Sequence, residues 1–283
     1  MEQNLYQLSC LPVSLFSEFY DRKTDLTAWS KQAAQIGLDC IDINIRCLLG
    51  MNPQQAAAVS ETLPVPVMMV TTYSDFTNPE PAALTAAVEQ AKQDIRTAAA
   101  LQAKYLRLTA GQAYPGQADS EVIERIYRCF EACIPAAEAA GIGLLIENHS
   151  RPGAWKYDDF DFHFERMVRL WERLQELPIG VNYDTANAFA LHRWQELLDA
   201  FRGRIETVHV NDLVCVNPLK FVCIGDGIVP LQEQLDAIFA SGFRGAVCIE
   251  EAGMEGLDGI GRSVLHTRRL LEQVPCQWEE VRP

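Results

Sequence analysis

The sequence of 283 residues has no C-x-x-C pair, no apolar run of membrane-spanning length and no G-x-G-x-x-G turn after its first strand candidate. Each absence closes off a class. The nine cysteines (Cys10, Cys40, Cys47, Cys129, Cys133, Cys215, Cys223, Cys248 and Cys276) are odd in number and scattered. They read as reduced thiols and not as a disulfide framework. Cys129 and Cys133 are four apart on a helix candidate, a spacing that could share a metal, but no second ligand pair accompanies them, so they read as small buried apolar residues. Without the roughly 18 consecutive apolar residues of a membrane span, no membrane association is expected. The opening, MEQNLYQLSC, puts Glu2 where an export signal carries positive charge, and no apolar run of signal length follows. A cytoplasmic location is the expectation. Basic residues are also scarce: 24 Lys+Arg against 38 Asp+Glu give a net charge of -14, which repels a phosphate backbone, so no nucleic-acid partner is expected. The densest basic cluster, Arg262 with His266, Arg268 and Arg269, shares a helix candidate with Leu265, Leu270 and Leu271 and reads as a solvated helix face.

What is present is a repeat. The chain is 48% hydrophobic and 22% charged, enough to bury a large core. Short Val/Ile/Leu-rich runs bounded by Gly or Pro alternate with Ala/Leu/Glu/Gln segments of helical period. The strand candidates are 5–11, 40–45, 65–71, 105–109, 142–148, 179–184, 207–211 and 246–251. The helix candidates between them begin near Leu26, Pro53, Pro81, Glu121, Asp159, Arg193, Leu231 and Gly259. Eight evenly spread βα units is the count at which a parallel sheet closes, so the α/β class and a single (β/α)8 TIM barrel over residues 1–283 are expected. A doubly wound open sheet is the alternative, weakened by the missing glycine-rich turn. Two connections after strands, 149–161 and 214–229, are longer than ordinary, and in a barrel such loops build the active-site face.

Four strand candidates end in a metal-ligand type: Glu147 in LLIENHS, Asp184 in GVNYDTANA, His209 in TVHVNDL and Glu250 in VCIEEAG. In a barrel, strands five to eight carry these side chains, 37, 25 and 41 residues apart in sequence, onto one rim. Three carboxylates and an imidazole there form a hard, open site for a divalent ion. Any one of them could instead be solvated at the barrel mouth. Three acids gathered together need a cation, because repulsion and desolvation would otherwise cost several kcal/mol.

The motifs in this order resemble the xylose isomerase-like TIM barrels, a family of sugar isomerases, epimerases, keto-cyclitol and dehydroshikimate dehydratases and apurinic endonucleases. The resemblance spans nearly the whole chain and implies a (β/α)8 fold. Ile-Glu-Asn-His, Asp-Thr-Ala-Asn, His-Val-Asn-Asp and the Gly225-Asp226-Gly227 turn are similar to the family's strand-five, strand-six and strand-seven endings. The resemblance implies one divalent ion (Mn, Mg, Co or Zn) held by Glu147, Asp184, His209 and Glu250. Glu251 is the other choice for the last ligand, although strand alternation turns it the opposite way. It further implies proton transfer at a carbon beside a chelated carbonyl, with Glu147 and Glu250 as the acid/base pair. His149, two residues past Glu147, is an alternative proton donor. A small carbohydrate-like substrate and a homo-oligomer, dimer or tetramer, are the partners it implies.

The departures bear on substrate. Where the free-ketose epimerases carry Glu, His and Arg, this chain has Gly153, Asn187 and Cys215. Asn187 can still hydrogen-bond a hydroxyl. Arg107, Arg151, Lys156 and Lys220 are candidates to grip a carboxylate or phosphate, and Tyr73, Trp155 and Phe160 are candidates for apolar walls. Substrate-binding candidates are therefore His149, Asn187, Arg107 and Lys220. An isomerase or epimerase of a sugar, sugar phosphate or related hydroxy-carbonyl compound is the first expectation. A dehydratase of a keto-cyclitol or dehydroshikimate-type substrate is the second, with His149 or Lys220 as general acid. Five histidines and the acidic charge speak against an endonuclease, and a barrel that binds without turnover is the non-enzymatic alternative.

Overall fold

The computed structural model describes residues 6–150 and 155–275. Eight parallel strands form the sheet: β1 (Gln7–Leu11), β2 (Ile41–Asn44), β3 (Val67–Thr71), β4 (Tyr105–Leu108), β5 (Gly143–Glu147), β6 (Gly180–Asp184), β7 (Ile205–Val210) and β10 (Ala246–Glu250). They pair in the order β1-β10-β7-β6-β5-β4-β3-β2. The two ends of that row meet where Asp39 N and Cys40 N donate to Leu8 O at 2.9 and 3.3 Å, which nearly closes the barrel. An antiparallel hairpin, β8 (Asp212–Val216) with β9 (Leu219–Val222), interrupts the long connection after β7.

The helices are α1 (Phe16–Tyr20), α2 (Leu26–Gln35), α3 (Pro53–Ser60), α4 (Pro81–Ala100), α5 (Asp119–Ala140), α6 (Phe164–Leu174), α7 (Thr185–Ala190), α8 (Trp194–Ala200), α9 (Leu231–Ala240) and α10 (Gly256–Gln273). Their starts follow local chemistry. Asp25 accepts from Ala28 N at the head of α2, and Asn52 and Gln55 form a reciprocal cap before Pro53 at the head of α3. No helix among the described residues is long and apolar enough to cross a membrane.

Alternation along the strands divides two interiors. Leu144 and Ile146, Val181 and Tyr183, Val208 and Val210, Val247 and Ile249 join the main core with helix residues such as Trp29, Ile95, Phe130 and Trp171. Each such large apolar side chain contributes about 1.5–3 kcal/mol by its burial. The intervening residues face the barrel axis. At the amino end Cys40, Met69, Tyr105, Leu145 and Ala246 form a separate small apolar cluster. Above it the axis turns polar: Thr207 Oγ1 donates to Asn182 Oδ1 at 2.7 Å, and Asn182 Nδ2 donates to Glu147 Oε2 at 2.8 Å. An apolar plug therefore supports a polar layer at the carboxyl ends of β5 to β7.

Two connections differ from the expected pattern. The helix expected from Asp159 begins at Phe164, because residues 155–160 are tied to the loop after β4. Ala113 N donates to Asp158 O and Phe160 N to Gly111 O, both at 2.8 Å, while Gln112 Oε1 accepts from Lys156 N at 2.9 Å. Those bonds leave no backbone free to begin a helix there. After the hairpin, the Asp212 carboxylate accepts from the N–H groups of Gly225, Gly227 and Val229. At Gly227 a Cβ would stand 2.1 Å from Asp212 Oδ1, so the turn requires glycine where its backbone closes on this carboxylate.

Candidate metal centre

Glu147, Asp184 and Glu250 are the last residues of β5, β6 and β10, and His209 is the penultimate residue of β7. One ligand atom from each lies within 4.8 Å of the others. The register accounts for this, since Asp184 pairs with His209 and His209 with Cys248, two residues short of Glu250. Three of the four side chains are fully buried, and Glu250 is 21% exposed towards the mouth. His209 Nδ1 lies 2.8 Å from Glu250 Oε2 and 3.7 Å from Glu147 Oε2.

Neighbours hold Glu147 and Asp184 in place. Arg107 Nε forms an ion pair with Glu147 Oε2 at 2.9 Å, and Arg107 Nη1 donates to Thr72 O. With Asn182 on the same carboxylate oxygen, Glu147 is fixed through Oε2. The Asp184 backbone is stitched to Asn148, whose side chain donates to its carbonyl and accepts from its N–H, each at 2.9 Å. Asp184 Oδ1 accepts from Asn187 N at 2.7 Å and caps α7. Asp184 Oδ2 is buried without a hydrogen-bond partner among the described residues.

The electrostatics are those of acids crowded away from water. Burial pushes the Asp184 carboxyl well up, and the Glu250 and Glu147 charges add to that. Burial works the same way on Glu250, but the hydrogen bond with His209 overrides it and brings Glu250 down to about 2. Burial alone would make His209 less basic, yet the acidic groups around it, led by Cys248 and Glu147, raise it overall. Without a cation, burial and the neighbouring Glu250 and Glu147 charges disfavour an ionised Asp184. A hard divalent ion fits this donor set, and the orphaned Asp184 Oδ2 fits a ligand position.

Two of the four, Glu147 and Glu250, line a cavity of about 230 Å³, together with His149, Asn187, Tyr73 and Phe221. His149 Nδ1 lies 2.6 Å from Asp159 Oδ1, which also accepts from Trp155 Nε1 at 2.9 Å. Burial works against a charged His149, but the Asp159 carboxylate outweighs it, and the pKa is raised. Tyr73 packs edge-on against both His149 and Trp155.

The expected site residues thus divide. Glu147, Asp184, His209 and Glu250 converge, and His149 and Asn187 line the same cavity. Arg107 is turned to Glu147 and is not among the residues that line the cavity. Lys220 is not among the lining residues either. It is exposed on β9, while its neighbours Leu219 and Phe221 line the cavity, as alternation along a strand requires. Glu251 faces away from the cluster towards Gly253 and Gly259. Lys156 is exposed with its ammonium over the Tyr157 ring, and Phe160 is buried. Arg151 and Gly153 lie outside the described residues. Asp159 and Asn211 reach the site without having been singled out as site residues. The only signal for Asp159 was an acid ten residues beyond His149 in a long loop.

A family profile for the xylose isomerase-like TIM barrel matches residues 30–270. No curated protein matches the chain. Among solved structures, an IolI protein with a bound zinc atom superposes with a TM-score of 0.80 at 16% identity, covering 96% of this chain and 100% of that one. A probable 3-DHS dehydratase, AsbF of Bacillus anthracis, gives 0.74 at 14% identity over 93% and 98% of the two chains. D-psicose 3-epimerase of Clostridium cellulolyticum H10 gives 0.71 at 12% identity over 95% and 99%. These likenesses are of fold. Together with the profile match over most of its length, they place the chain in the xylose isomerase-like TIM barrel family.

Proposed function

We propose that this protein is a divalent-metal-dependent isomerase or epimerase of a sugar, sugar phosphate or related hydroxy-carbonyl compound. The observation that carries the reading is the convergence of Glu147, Asp184, His209 and Glu250, two of which, Glu147 and Glu250, line one cavity. Family membership supports an enzyme acting on a sugar-like small molecule, and a structural neighbour with a bound zinc atom supports a metal-dependent reading. Glu147, Asp184, His209 and Glu250 would hold the ion, which when bound would supply Lewis-acid stabilisation of the negative charge on the substrate's carbonyl oxygen.

The remaining work falls to the chain. Glu147 is fixed through Oε2 by Arg107 and Asn182, which suits it to holding the ion rather than swinging to a substrate carbon. Glu250 lines the cavity and is the carboxylate assigned to removing the proton beside the carbonyl. His149 lines it too. With Nδ1 engaged by Asp159, its Nε2 is the nitrogen assigned to returning a proton. Asn187 offers hydrogen bonds to a hydroxyl, and Tyr73 and Phe221 supply apolar walls that limit water.

A second reading, a dehydratase, is favoured by one observation. A histidine backed by a buried carboxylate is a general acid, and placed at a β-hydroxyl it would assist departure of water from the same enolate. The test is deuterium incorporation in heavy water, followed by mass spectrometry over free ketoses, sugar phosphates, keto-cyclitols and dehydroshikimate. Wild type is expected to exchange the proton beside the carbonyl only with divalent metal present. E250Q and H149N are expected to lower that exchange by about 10²-fold or more while still binding metal or substrate. Product lacking one water selects the dehydratase. Exchange that survives chelation overturns the metal-dependent reading.

A further inference from the structure

Beneath the rim ligands, the barrel axis holds polar groups that the centre as described does not use. Ser9 on β1, Asp42 on β2 and Cys248 on β10 are fully buried. Strand register sets Ser9 beside Cys248 and Cys248 beside His209. One ligand-type atom from each of Asp42, His209 and Cys248 lies within 4.8 Å of the others. Both oxygens of Asp42 and the Nε2 of His209 have no hydrogen-bond partner among the described residues, and Nε2 stands 3.6 Å from Asp42 Oδ2. A buried carboxylate facing a buried ring nitrogen, both otherwise unsatisfied, calls for an explanation.

The ring itself supplies one. Its two nitrogens point to opposite sides, Nδ1 to the rim, where Glu250 and Glu147 lie, and Nε2 down the axis to Asp42. A neutral imidazole has one lone pair and one proton, and it can ligate an ion only through the nitrogen without the proton. Resting on the metal-centre reading above, we infer that Asp42 is a positioning residue for this centre. Its carboxylate accepts the N–H of His209 Nε2 and thereby presents the Nδ1 lone pair to the ion. A shift of about half an ångström brings 3.6 Å into hydrogen-bond range. The Asp42 charge also counters the ion through the ring, which makes Nδ1 a better donor. Cys248 offers the competing arrangement: a thiophilic ion seated lower, between Asp42, His209 Nε2 and the sulfur.

The experiment titrates Mn²⁺ and Zn²⁺ into chelator-stripped wild type, D42N, D42A and C248S by calorimetry, with urea unfolding of each stripped protein as the folding control. D42A is expected to weaken binding by about 10- to 100-fold, with D42N in between and C248S unchanged. In the Zn²⁺-loaded wild type, nitrogen NMR is expected to find His209 protonated at Nε2. The Co²⁺-loaded protein is expected to lack thiolate-to-cobalt absorption. Where D42A does not fold, the isosteric D42N carries the comparison. D42N and D42A affinities equal to wild type overturn the inference, as does a His209 protonated at Nδ1. Thiolate-to-cobalt absorption that C248S removes also overturns it and places the ion lower. Wild type that binds neither ion overturns the metal-centre reading itself, an outcome distinct from normal wild-type binding with indifferent Asp42 variants.

Discussion

Arg107 Nε and Glu147 Oε2 lie 2.9 Å apart, with neither side chain more than 3% exposed. This is a charge pair taken almost wholly out of water, and breaking one side of it leaves the other uncompensated. R107M is therefore expected to destabilise the metal-free protein by about 3–5 kcal/mol. Divalent metal should recover part of the loss, because the ion offers Glu147 a second counter-charge. The double variant R107M/E147Q should lie closer to wild type than R107M does. Urea unfolding of the three proteins, with and without metal, checks this, and a metal-free R107M as stable as wild type would sink the account.

Asp94 on α4 predicts a pH dependence away from the site. Its carboxyl is 7% exposed, accepts from Gln90 Nε2 at 2.8 Å, and is pushed up to about 6 from 3.8 by burial, against the opposing pull of that hydrogen bond. The folded pKa lies above the unfolded one, so ionisation costs stability as pH rises. Below the unfolded value both states are protonated and no cost exists. Between there and about 6 the unfolded chain ionises first and stability falls, and above 6 the cost is constant. D94N keeps an acceptor for Gln90 and removes the charge. It is expected to stabilise the protein by about 1–3 kcal/mol at pH 8, with the gain shrinking towards zero by pH 4. A gain that is equal at both pH values would rule out ionisation as its source.

The eight barrel strands and the four residues that converge at the rim are legible in the sequence because period-2 burial leaves a plain pattern. Val181 and Tyr183 go to the core, while Asn182 and Asp184 go to the axis. What could not be read depended on partners far away in sequence. Arg107, at the end of the fourth strand candidate, reads as a cation for a substrate anion because the pattern does not say that its guanidinium meets Glu147, 40 residues on. Asp42 sits in the short strand IDIN, where a single acid reads equally as a solvated residue until the closed barrel buries it. Most of the hairpin Asp212–Val222 falls in the connection 214–229 expected to be loop, because its strands alternate only weakly. Asp159 reads in the sequence as the start of a helix, and it is the contact of its carboxylate with His149 that brings it to the site.

Metal removal is expected to show in stability before activity. The rim acids repel one another when unpaired, so an ion that binds only the folded state adds stability by mass action, about 2.7 kcal/mol at one hundred times its Kd. Thermal unfolding with excess Mn²⁺ or Zn²⁺ should raise Tm, and chelator should reverse the rise. D184N should abolish the response, because Asp184 Oδ2 is the orphaned acceptor best suited to the ion. D184N should also be more stable than wild type in the absence of metal, since burial and the neighbouring Glu250 and Glu147 charges penalise an ionised Asp184. A metal response that is unchanged in D184N would remove Asp184 from the ligand set.

His149 and Asp159 make the sharpest kinetic prediction. The 2.6 Å contact raises the His149 pKa despite burial, so a histidine acting as acid stays protonated above its ordinary range. Its contribution to stability is fully present below pH 6.5 and is lost as pH rises through the raised folded value. In wild type the alkaline limb of kcat against pH should therefore lie above pH 6.5. D159N removes the charge that sustains the shift while keeping an acceptor for Trp155. It should move the limb to lower pH, leave metal affinity unchanged, and lower kcat at pH 8 by about 10-fold or more. H149N should abolish the limb altogether. If D159N lowers kcat equally at every pH, the carboxylate orients His149 without tuning it, and if H149N retains the limb, another group is the acid.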